Sequence, residues 1–565
     1  MTYKIITGTL KARTAVHIGS GAGGDLTDAL IRRDAAGAPV IPGTATAGAL
    51  RALATRLAPR LGGEMCAALR GSDDPCDCSV CHLFGDINPS NAEDATSEAS
   101  RLLVFNARLN ELPQTLVRDG VGINRVTGAA ARAGRVKFDL EVLPAGATFE
   151  LRMELRDTGP EDEQLLAAVL TEWKAGRAWL GGNVARGLGA FALQGIQYKT
   201  HALDDADTLL TFLKEDEVWQ IADVQLNWLK KCLASVQITP PSDGNPYIAR
   251  LWLTVEGTLQ AQGPLLTNDA TTSGVSGFDH APLLAQLGEW QYPMLAGAGL
   301  RGVLRAHAER IARTLATLNA NGREDFLQCC PACSPVESWE EASLASCDTL
   351  LKDANVPSDA DVDDRHLCLA CRLFGSTRRG SRLIVEDASY QPTDQQDKPV
   401  LKMLDFLAID RFTGGGAKGA KFDALVLWKP AFTLRLHLDN PAPWELGWLA
   451  LVLRDLAEGQ LSVGSGAAKG LGRVKLTDWT ARLGYLDEQD ALGAVQVGNG
   501  QKDGVYTRVD LPGHSEAWLR LADGWVKEFV QQVKAFARED NLHLKKDSYF
   551  NEHHLERLYP KEVAR

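Results

Sequence analysis

The strongest constraint on this sequence is that it repeats itself. Five short motifs occur twice, in the same order in each half of the chain. Ordered matches of this kind indicate a duplicated structural unit, so we expect two copies of one domain. The paired motifs are Gly8-Thr9-Leu10 with Gly257-Thr258-Leu259, Gly48-Ala49-Leu50-Arg51 with Gly302-Val303-Leu304-Arg305, Cys78-x2-Cys81-x-Leu83-Phe84-Gly85 with Cys368-x2-Cys371-x-Leu373-Phe374-Gly375, Ile123-x-Arg125-x-Thr127-Gly128 with Ile409-x-Arg411-x-Thr413-Gly414, and Ala185-Arg186-Gly187-Leu188-Gly189 with Ala468-Lys469-Gly470-Leu471-Gly472.

Each copy predicts the same order of secondary structure. An alternating strand comes first, then a Gly- and Asp-rich loop, then an Ala/Leu/Arg helix over 45–58 or 299–318. A cysteine segment, two strands, a second helix, a Gly-rich turn and a closing strand follow. This is the ferredoxin-like (RRM-like) order, so the sequence predicts an α+β fold with two such domains.

The limits of the copies divide the chain into four parts. A polar stretch that ends in a Pro-rich run, residues 200–246, separates the copies and is typical of a linker. We therefore expect domains at 1–199 and 247–483, a helical and Pro-rich linker at 200–246, and a C-terminal extension at 484–565. The extension carries an amphipathic pattern over 516–539, which predicts a helix.

Charge and hydropathy exclude several classes of protein. The net charge is −12, which argues against a protein that coats nucleic acid through its overall charge but allows a local basic groove. No apolar run approaches the ~20 residues of a membrane-spanning helix, and the N-terminus lacks the apolar block of a signal peptide. We therefore expect a cytoplasmic protein with no membrane contact.

The cysteines predict two structural zinc sites. Ten of the eleven lie in two clusters, and tight C-x-C and C-x2-C spacings let thiolates converge on one tetrahedral metal ion. The first site takes Cys76, Cys78 and Cys81, with Cys66 or His82 as the fourth ligand. In the second, Cys368 and Cys371 form one half, and the other half comes from the group Cys329, Cys330, Cys333 and Cys347, with the pair Cys330 and Cys333 preferred because it repeats the C-x2-C spacing. Sites closed by thiolates have no position for substrate, so we do not expect them to be catalytic.

These motifs together resemble the RAMP-type backbone subunits of type III CRISPR effector complexes, the Cas-seven family. The resemblance runs over both repeats, and the second departs from it where Leu295-Ala296-Gly297 replaces the Ile41-Pro42-Gly43 turn. Two such domains in one chain are similar to the tandem fusion of type III-D systems, with a zinc knuckle and a thumb hairpin inserted in each. The resemblance implies assembly on CRISPR RNA with other type III effector subunits, and cleavage of complementary target RNA.

The resemblance also implies one catalytic aspartate per repeat. In the family it lies in the loop before the turn that starts the first helix, which here points to Asp28 and Asp279. The reaction would be attack of the target's own 2′-OH on the adjacent phosphate, with the carboxylate acting as base or holding Mg²⁺ or another divalent cation. Asp25 and Asp34 are nearby competitors in the first copy.

The same resemblance implies contacts with guide and target RNA. The thumb would place an apolar tip, Val126 or Phe412, against a displaced base, while cations in the thumb, the Gly-rich turn and the first helix hold phosphates. The implied cations are Arg51, Arg125, Arg132, Lys137, Arg186, Arg305, Arg411, Lys418, Lys421 and Lys469.

Two other functions stay open. The chain is a non-catalytic scaffold for the guide if both loop aspartates are inert. A ribonuclease that matures the guide would need a base such as His17, but the matching position in the second copy is Leu266, and we expect His17 to be a partly buried strand residue. His280, beside Asp279, is unmatched as well.

Overall fold

The computed structural model describes most of the chain. The described residues are 2–24, 27–66, 76–86, 98–111, 113–125, 128–130, 137–214, 223–225, 227–240, 245, 247–269, 277–287, 290–333, 346–353, 364–392, 398–492, 495 and 497–537.

The first repeat is an antiparallel sheet covered by two main helices. Its central strands lie in the order β9-β1-β7-β4, and β3 also pairs with β7. Helix α1 buries a stripe of residues three or four apart, Thr46, Leu50, Ala54 and Leu57, against the sheet. The elements are β1 (Thr2–Ala12), β2 (Val40–Ile41), α1 (Gly43–Leu57), α2 (Ser79–Phe84), β3 (Leu102–Val104), β4 (Ala107–Leu109), β5 (Leu116–Val121), β6 (Lys137–Val142), β7 (Thr148–Leu155), α3 (Pro160–Lys174), β8 (Ala178–Trp179) and β9 (Ala190–Ala202).

The described part of the linker contains two short helices and one strand. These elements are α4 (Ala206–Lys214), β10 (Asp223–Gln225) and α5 (Trp228–Ala234). Strand β10 extends the first sheet beside β9, and Trp228 stacks on Tyr198 with 4.4 Å between ring centroids. The linker is thus anchored to the first repeat by an aromatic contact.

The second repeat has the same sheet order with longer insertions. Strands β21, β11 and β19 lie side by side, and both β15 and β16 pair with β19, as β3 and β4 pair with β7 in the first repeat. The elements are β11 (Leu251–Ala261), β12 (Pro264–Leu265), β13 (Leu284–Leu287), β14 (Trp290–Leu295), α6 (Gly297–Asn319), α7 (Arg323–Cys329), α8 (Cys347–Asp353), α9 (Leu369–Phe374), β15 (Leu383–Val385), β16 (Ala388–Tyr390), β17 (Leu401–Ile409), β18 (Gly416–Trp428), β19 (Ala431–Asp439), α10 (Pro443–Ala457), β20 (Leu461–Ser462) and β21 (Arg473–Tyr485).

Each repeat carries a two-stranded arm beside its sheet. The first arm pairs β5 with β6, and the second pairs β17 with β18. The arms enclose the Arg-x-Thr-Gly motifs that begin at Arg125 and Arg411, where the resemblance implied a thumb hairpin in each copy.

The C-terminal extension packs on the second repeat. It consists of α11 (Glu488–Leu492), β22 (Gln501–Asp503), β23 (Tyr506–Pro512) and α12 (Glu516–Ala535), and β23 adds to the sheet beside β21. Helix α12 crosses α10 so closely that a Cβ on Gly447 would lie 2.0 Å from the carbonyl oxygen of Trp525. None of the helices in the described ranges is both long and apolar enough to cross a membrane.

The interface between the two repeats has basic residues on one side and acidic residues on the other. Five ion pairs join them among the described residues, and in each pair the arginine belongs to the first repeat. The acids belong to the second repeat or the extension. The pairs are Arg13–Glu386, Arg56–Asp439, Arg118–Asp387, Arg125–Glu309 and Arg177–Asp503. We call the arginine side the forward face and the acidic side the receiving face.

Two glycines let the backbones touch at this interface. A Cβ on Gly187 would lie 2.5 Å from Oδ1 of Asp387 and 2.8 Å from the Cα of Gly297, at the start of α6. Gly470, the counterpart of Gly187 in the second repeat, has the same left-handed backbone, with φ of +82° against +101°, but nothing within 4 Å of its Cβ position.

We expect alanine to destabilise the protein more at Gly187 than at its counterpart Gly470. Both Gly187→Ala and Gly470→Ala place a side chain at positive φ, which costs about 1–2 kcal/mol. Only Gly187→Ala also collides with the second repeat, so we expect it to lose a further ~1–3 kcal/mol of unfolding free energy. Urea denaturation of the two variants checks this, and equal losses would contradict the close approach of the repeats.

Candidate functional site

The two loop aspartates occupy the same place in their repeats. Oδ2 of Asp28 accepts a hydrogen bond of 3.0 Å from the backbone N–H of Asp139, and Oδ2 of Asp279 accepts one of 3.0 Å from that of Asp423. The residues after the aspartates, Ala29 and His280, form parallel bridges to the arm strands β6 and β18. Both aspartates are exposed. Each arm therefore holds a solvent-facing carboxylate through a backbone amide.

A second carboxylate lies beside each of these aspartates, and the sequence analysis missed it. In the second repeat, Oδ1 of Asp423 accepts from the backbone N–H of Asp279 at 2.8 Å, so the two residues bond reciprocally. Asp139 has the matching place in the first repeat. A shared tripeptide could have revealed both, since Lys137-Phe138-Asp139 and Lys421-Phe422-Asp423 are identical.

A third aspartate faces each pair from the neighbouring arm strand. Asp119 is opposite Asp139, and Asp405 is opposite Asp423. Directly opposite residues share a face of the hairpin, so the charges add. In the first repeat, burial and then the hydrogen bond and charge of Asp139 raise the pKa of Asp119, Asp269 of the second repeat adds to the effect, and Lys137 opposes it. In the second repeat, Nζ of Lys421 lies 3.5 Å from Asp405 and offsets its charge.

The competing residues have other partners. Oδ1 of Asp34 accepts from the backbone N–H groups of Ala36 and Ala38, which makes it a turn residue. Asp25 lies outside the described residues. His17 is 6% exposed, as predicted, and its Nδ1–H donates to the carbonyl of Glu141 at 2.7 Å, but it follows the end of β1 at Ala12 and does not lie in a strand. His280 contacts Oδ1 of Asn268 through Nδ1.

The arm cations divide into exposed and buried ones. Lys137, Arg411, Lys418 and Lys421 are exposed, and Phe412 at the second tip is 99% exposed. Arg125 instead reaches into the second repeat and pairs with Glu309 at 2.8 Å. Arg132 and Val126 lie outside the described residues.

The Gly-rich turns present one exposed cation each. Both turns form a short 3-10 helix that ends in a left-handed glycine, Val184–Arg186 in the first repeat and Ala467–Lys469 in the second. Arg186 lies 5.9 Å from the ring centre of Phe138, and Nζ of Lys469 lies 4.2 Å from that of Phe422. A cation therefore lies over the phenylalanine of each Lys-Phe-Asp tripeptide.

The first cysteine cluster forms a tetrad that includes Cys66. Its sulfur atoms and those of Cys76, Cys78 and Cys81 all lie within 4.8 Å of one another. His82, the alternative fourth ligand, instead contacts Oδ1 of Asp162 through Nδ1 at 2.8 Å. The sequence left this choice open, and the structure selects Cys66.

The second tetrad corrects the predicted ligand set. Cys333, Cys368 and Cys371 are joined by Cys347, and all four are buried. The preferred ligand Cys330 was wrong, because its Sγ contacts the carbonyl of Ala332 and lies outside the tetrad. Cys347 starts α8 within the long insertion, where spacing gives no signal for the partner.

Both tetrads fit a zinc ion. Zn–S bonds of about 2.3 Å in a tetrahedron place the sulfurs about 3.8 Å apart. Observed S–S distances include 3.4 Å between Cys66 and Cys81 and 3.5 Å between Cys333 and Cys371. Burial raises the pKa of the Cys66 thiol to about 11, so zinc binding must displace protons.

An arginine lies against the last cysteine of each tetrad. Nη2 of Arg51 donates to Sγ of Cys81 at 3.1 Å, and Nη2 of Arg305 donates to Sγ of Cys371 at 3.7 Å. Four thiolates around one Zn²⁺ leave a net charge of about −2, which these cations partly offset. Arg305 is only 8% exposed and also binds Glu309 and the carbonyl of Gly375, so a phosphate does not reach it as predicted.

The ligand correction predicts a difference in zinc content. Cys347→Ala removes a tetrad sulfur, and we expect one zinc per chain instead of two. Cys330→Ala removes a buried thiol of equal size outside the tetrad, and we expect two. Mass spectrometry of metal per mole of purified chain checks both, and zinc loss in the Cys330 variant alone would restore the spacing-based assignment.

The raised pKa of Asp119 predicts how stability changes with pH. A folded-state pKa above the unfolded value favours folding only while the group is protonated, so the contribution is lost as pH rises through the folded pKa. Asp119→Asn should therefore be more stable than the wild type at pH 8, and the gain should shrink toward pH 4. Urea midpoints across this range measure it. The matched Asp405→Asn removes a carboxylate near Lys421 and should show no such gain, and a gain equal to that of Asp119→Asn would contradict the assignment.

Comparison with known proteins assigns the family. A search of curated proteins finds no match to the chain. The family model of the RAMP superfamily matches two regions, residues 9–192 and 258–475, which correspond to the two repeats and together cover more than half of the sequence. The chain therefore belongs to the RAMP superfamily and carries two regions of that family in tandem.

Proposed function

We propose that this chain is a CRISPR RNA-binding backbone subunit of a type III effector complex, of the tandem kind found in type III-D systems, and that it cuts complementary RNA once per repeat. Membership of the RAMP superfamily supports the coarser part, a CRISPR RNA-binding subunit of a CRISPR-associated complex. The strand order of each repeat supports a ferredoxin-like domain, with limits at 1–199 and 247–483.

The observation that carries the cleavage proposal is the equivalence of Asp28 and Asp279. Their carboxylates accept the same backbone hydrogen bond from the same arm position in both repeats, although the flanking loops differ in length. The nearby loop acid Asp34 has no such bond to the arm, because its Oδ1 accepts from the backbone of its own turn. A carboxylate fixed at the base of each arm is suited to act on RNA that the arm displaces.

The proposed chemistry is transesterification within the target strand. The amide of Asp139 or Asp423 fixes Oδ2, so Oδ1 can accept the proton of the target's 2′-OH. The 2′-oxygen then attacks the adjacent phosphorus, the bond to the 5′-oxygen of the next nucleotide breaks, and water protonates that oxygen. The products are a 2′,3′-cyclic phosphate and a 5′-hydroxyl. The pairs Asp28 with Asp139 and Asp279 with Asp423 are the groups that would hold a divalent cation such as Mg²⁺, which would offset the phosphate charge.

The exposed cations near these aspartates support RNA binding. Lys137, Arg186, Lys418, Lys421 and Lys469 lie on the arms or Gly-rich turns, and Arg411 lies at the second tip. Contacts of this kind read the backbone without reading sequence, which suits a protein whose specificity comes from base pairing. Arg305 and Arg125 are omitted from this surface because both are engaged inside the protein.

The test is target cleavage by the complex assembled with its guide and partner subunits. We expect Asp28→Asn to remove one cut and Asp279→Asn another, each by at least about 100-fold, which corresponds to loss of a general base. Asp34→Asn is the matched control, because asparagine keeps the turn bonds while removing a nearby charge. Cut sites are mapped on labelled RNA. If every cut persists in the double variant while guide and target still bind, the chain is a scaffold and another subunit cuts.

A further inference from the structure

The interface between the repeats shows which charges allow one domain of this kind to pack against the next. The forward face of the first repeat supplies five arginines, and the receiving face supplies five acids. Two of these acids, Glu309 and Glu386, are at most 5% exposed, so a neighbour without the matching arginine would leave a buried charge with one partner fewer. The second repeat has a forward face of its own, at the positions named below.

Matching backbone hydrogen bonds identify the forward-face positions of the second repeat. The N–H of Arg13 donates to the carbonyl of Ala190, and the N–H of Gln262 donates to the carbonyl of Arg473, which pairs residues 13 and 262. The other positions follow from their elements. Arg56, Arg118, Arg125, Arg177 and Gly187 correspond to Arg310, Leu404, Arg411, Gln460 and Gly470.

The forward face of the second repeat has a cleft at the place that, on the first repeat, is filled by residues of the second repeat and the extension. In the first repeat, Asp439 binds Arg56, and the turn at Asp503 and Gly504 sits against Glu172. The corresponding place in the second repeat is a cleft of about 470 Å³, lined by Arg310, Gln460 and residues of α10 and α12. Gly470 has nothing against it, and Arg411 is exposed at the arm tip.

A second copy of this chain does not fit that face. The first repeat carries Thr55, Phe105, Asn106 and Arg156 at the positions of Glu309, Glu386, Asp387 and Asp439. Stacking identical chains would therefore place Arg156 against Arg310 and leave Arg411 opposite Thr55. The four ion pairs that Glu309, Glu386, Asp387 and Asp439 make inside one chain would therefore have no equivalent between two chains. At the position of the Arg56–Asp439 pair, two arginines would repel each other.

We infer that the forward face of the second repeat binds a RAMP-type domain of a different chain, one with acids at the positions of Glu309 and Asp439, and that identical chains do not stack. The acids would bind Arg411 and Arg310, as Glu309 and Asp439 bind Arg125 and Arg56. The inference uses the internal interface and family membership, and it does not depend on cleavage.

The experiment uses a probe chain built from this protein. The full chain with Thr55→Glu and Arg156→Asp gains the two missing acids, and Arg310→Glu with Arg411→Glu in the same probe prevents it from stacking on itself. We expect the wild-type chain alone to be monomeric in sedimentation velocity, and the probe to form a one-to-one complex with it that weakens as salt rises. The association constant should exceed that of wild type with wild type by at least about tenfold.

The matched control replaces the wild-type partner with the Arg310→Glu, Arg411→Glu chain, which should not bind the probe. Circular dichroism and thermal unfolding establish that every variant is folded. Self-association of the wild-type chain that the two Arg→Glu changes abolish would overturn the inference. So would a folded probe that fails to bind the wild type. Neither result bears on RNA cleavage, so the two proposals fail independently.

Discussion

The structure depends on one buried carboxylate, Glu309. It is fully buried on α6, and an unpaired charge there would cost several kcal/mol. Three arginines surround it: Arg305 at 2.9 Å and Arg313 at 3.3 Å from the same helix, and Arg125 at 2.8 Å from the arm of the first repeat. Two of the partners of Glu309 thus come from its own helix, and the third ties the arm of the first repeat to the second repeat.

Duplication explains why functional groups occur in matched sets. Asp28 with Asp139 and Asp279 with Asp423 share the bond from the arm amide to Oδ2, and the contact of Arg51 with Cys81 recurs between Arg305 and Cys371. What differs is the surroundings. The first carboxylate group lies close to Asp269 of the next repeat, whereas Lys421 lies near the second group. The same local frame thus holds two sites with different electrostatics.

Local patterns predicted the parts of this protein that local interactions determine. The repeat, the sheet-forming strands and α12 follow from periodicity and matched motifs, and the family model confirms the superfamily. The choice of Cys347 over Cys330 did not follow, because loop closure over the long insertion brings in a sulfur that spacing cannot identify. Arg125 and Arg305 look like surface cations in one dimension, and only the packing of α6 against the first arm shows that they are internal. Asp139 and Asp423, by contrast, could have been predicted from the Lys-Phe-Asp tripeptide that both repeats share.

Arg313 connects Glu309 to the second cysteine tetrad. Its guanidinium binds Glu309 and also the carbonyls of Ala332 and Cys333, the loop that supplies a ligand to the second tetrad. A chain of direct contacts through Arg125, Glu309 and Arg313 therefore joins the first arm to the loop that carries Cys333. The arm of one repeat and the metal-binding loop of the other therefore share a single buried network of charged hydrogen bonds.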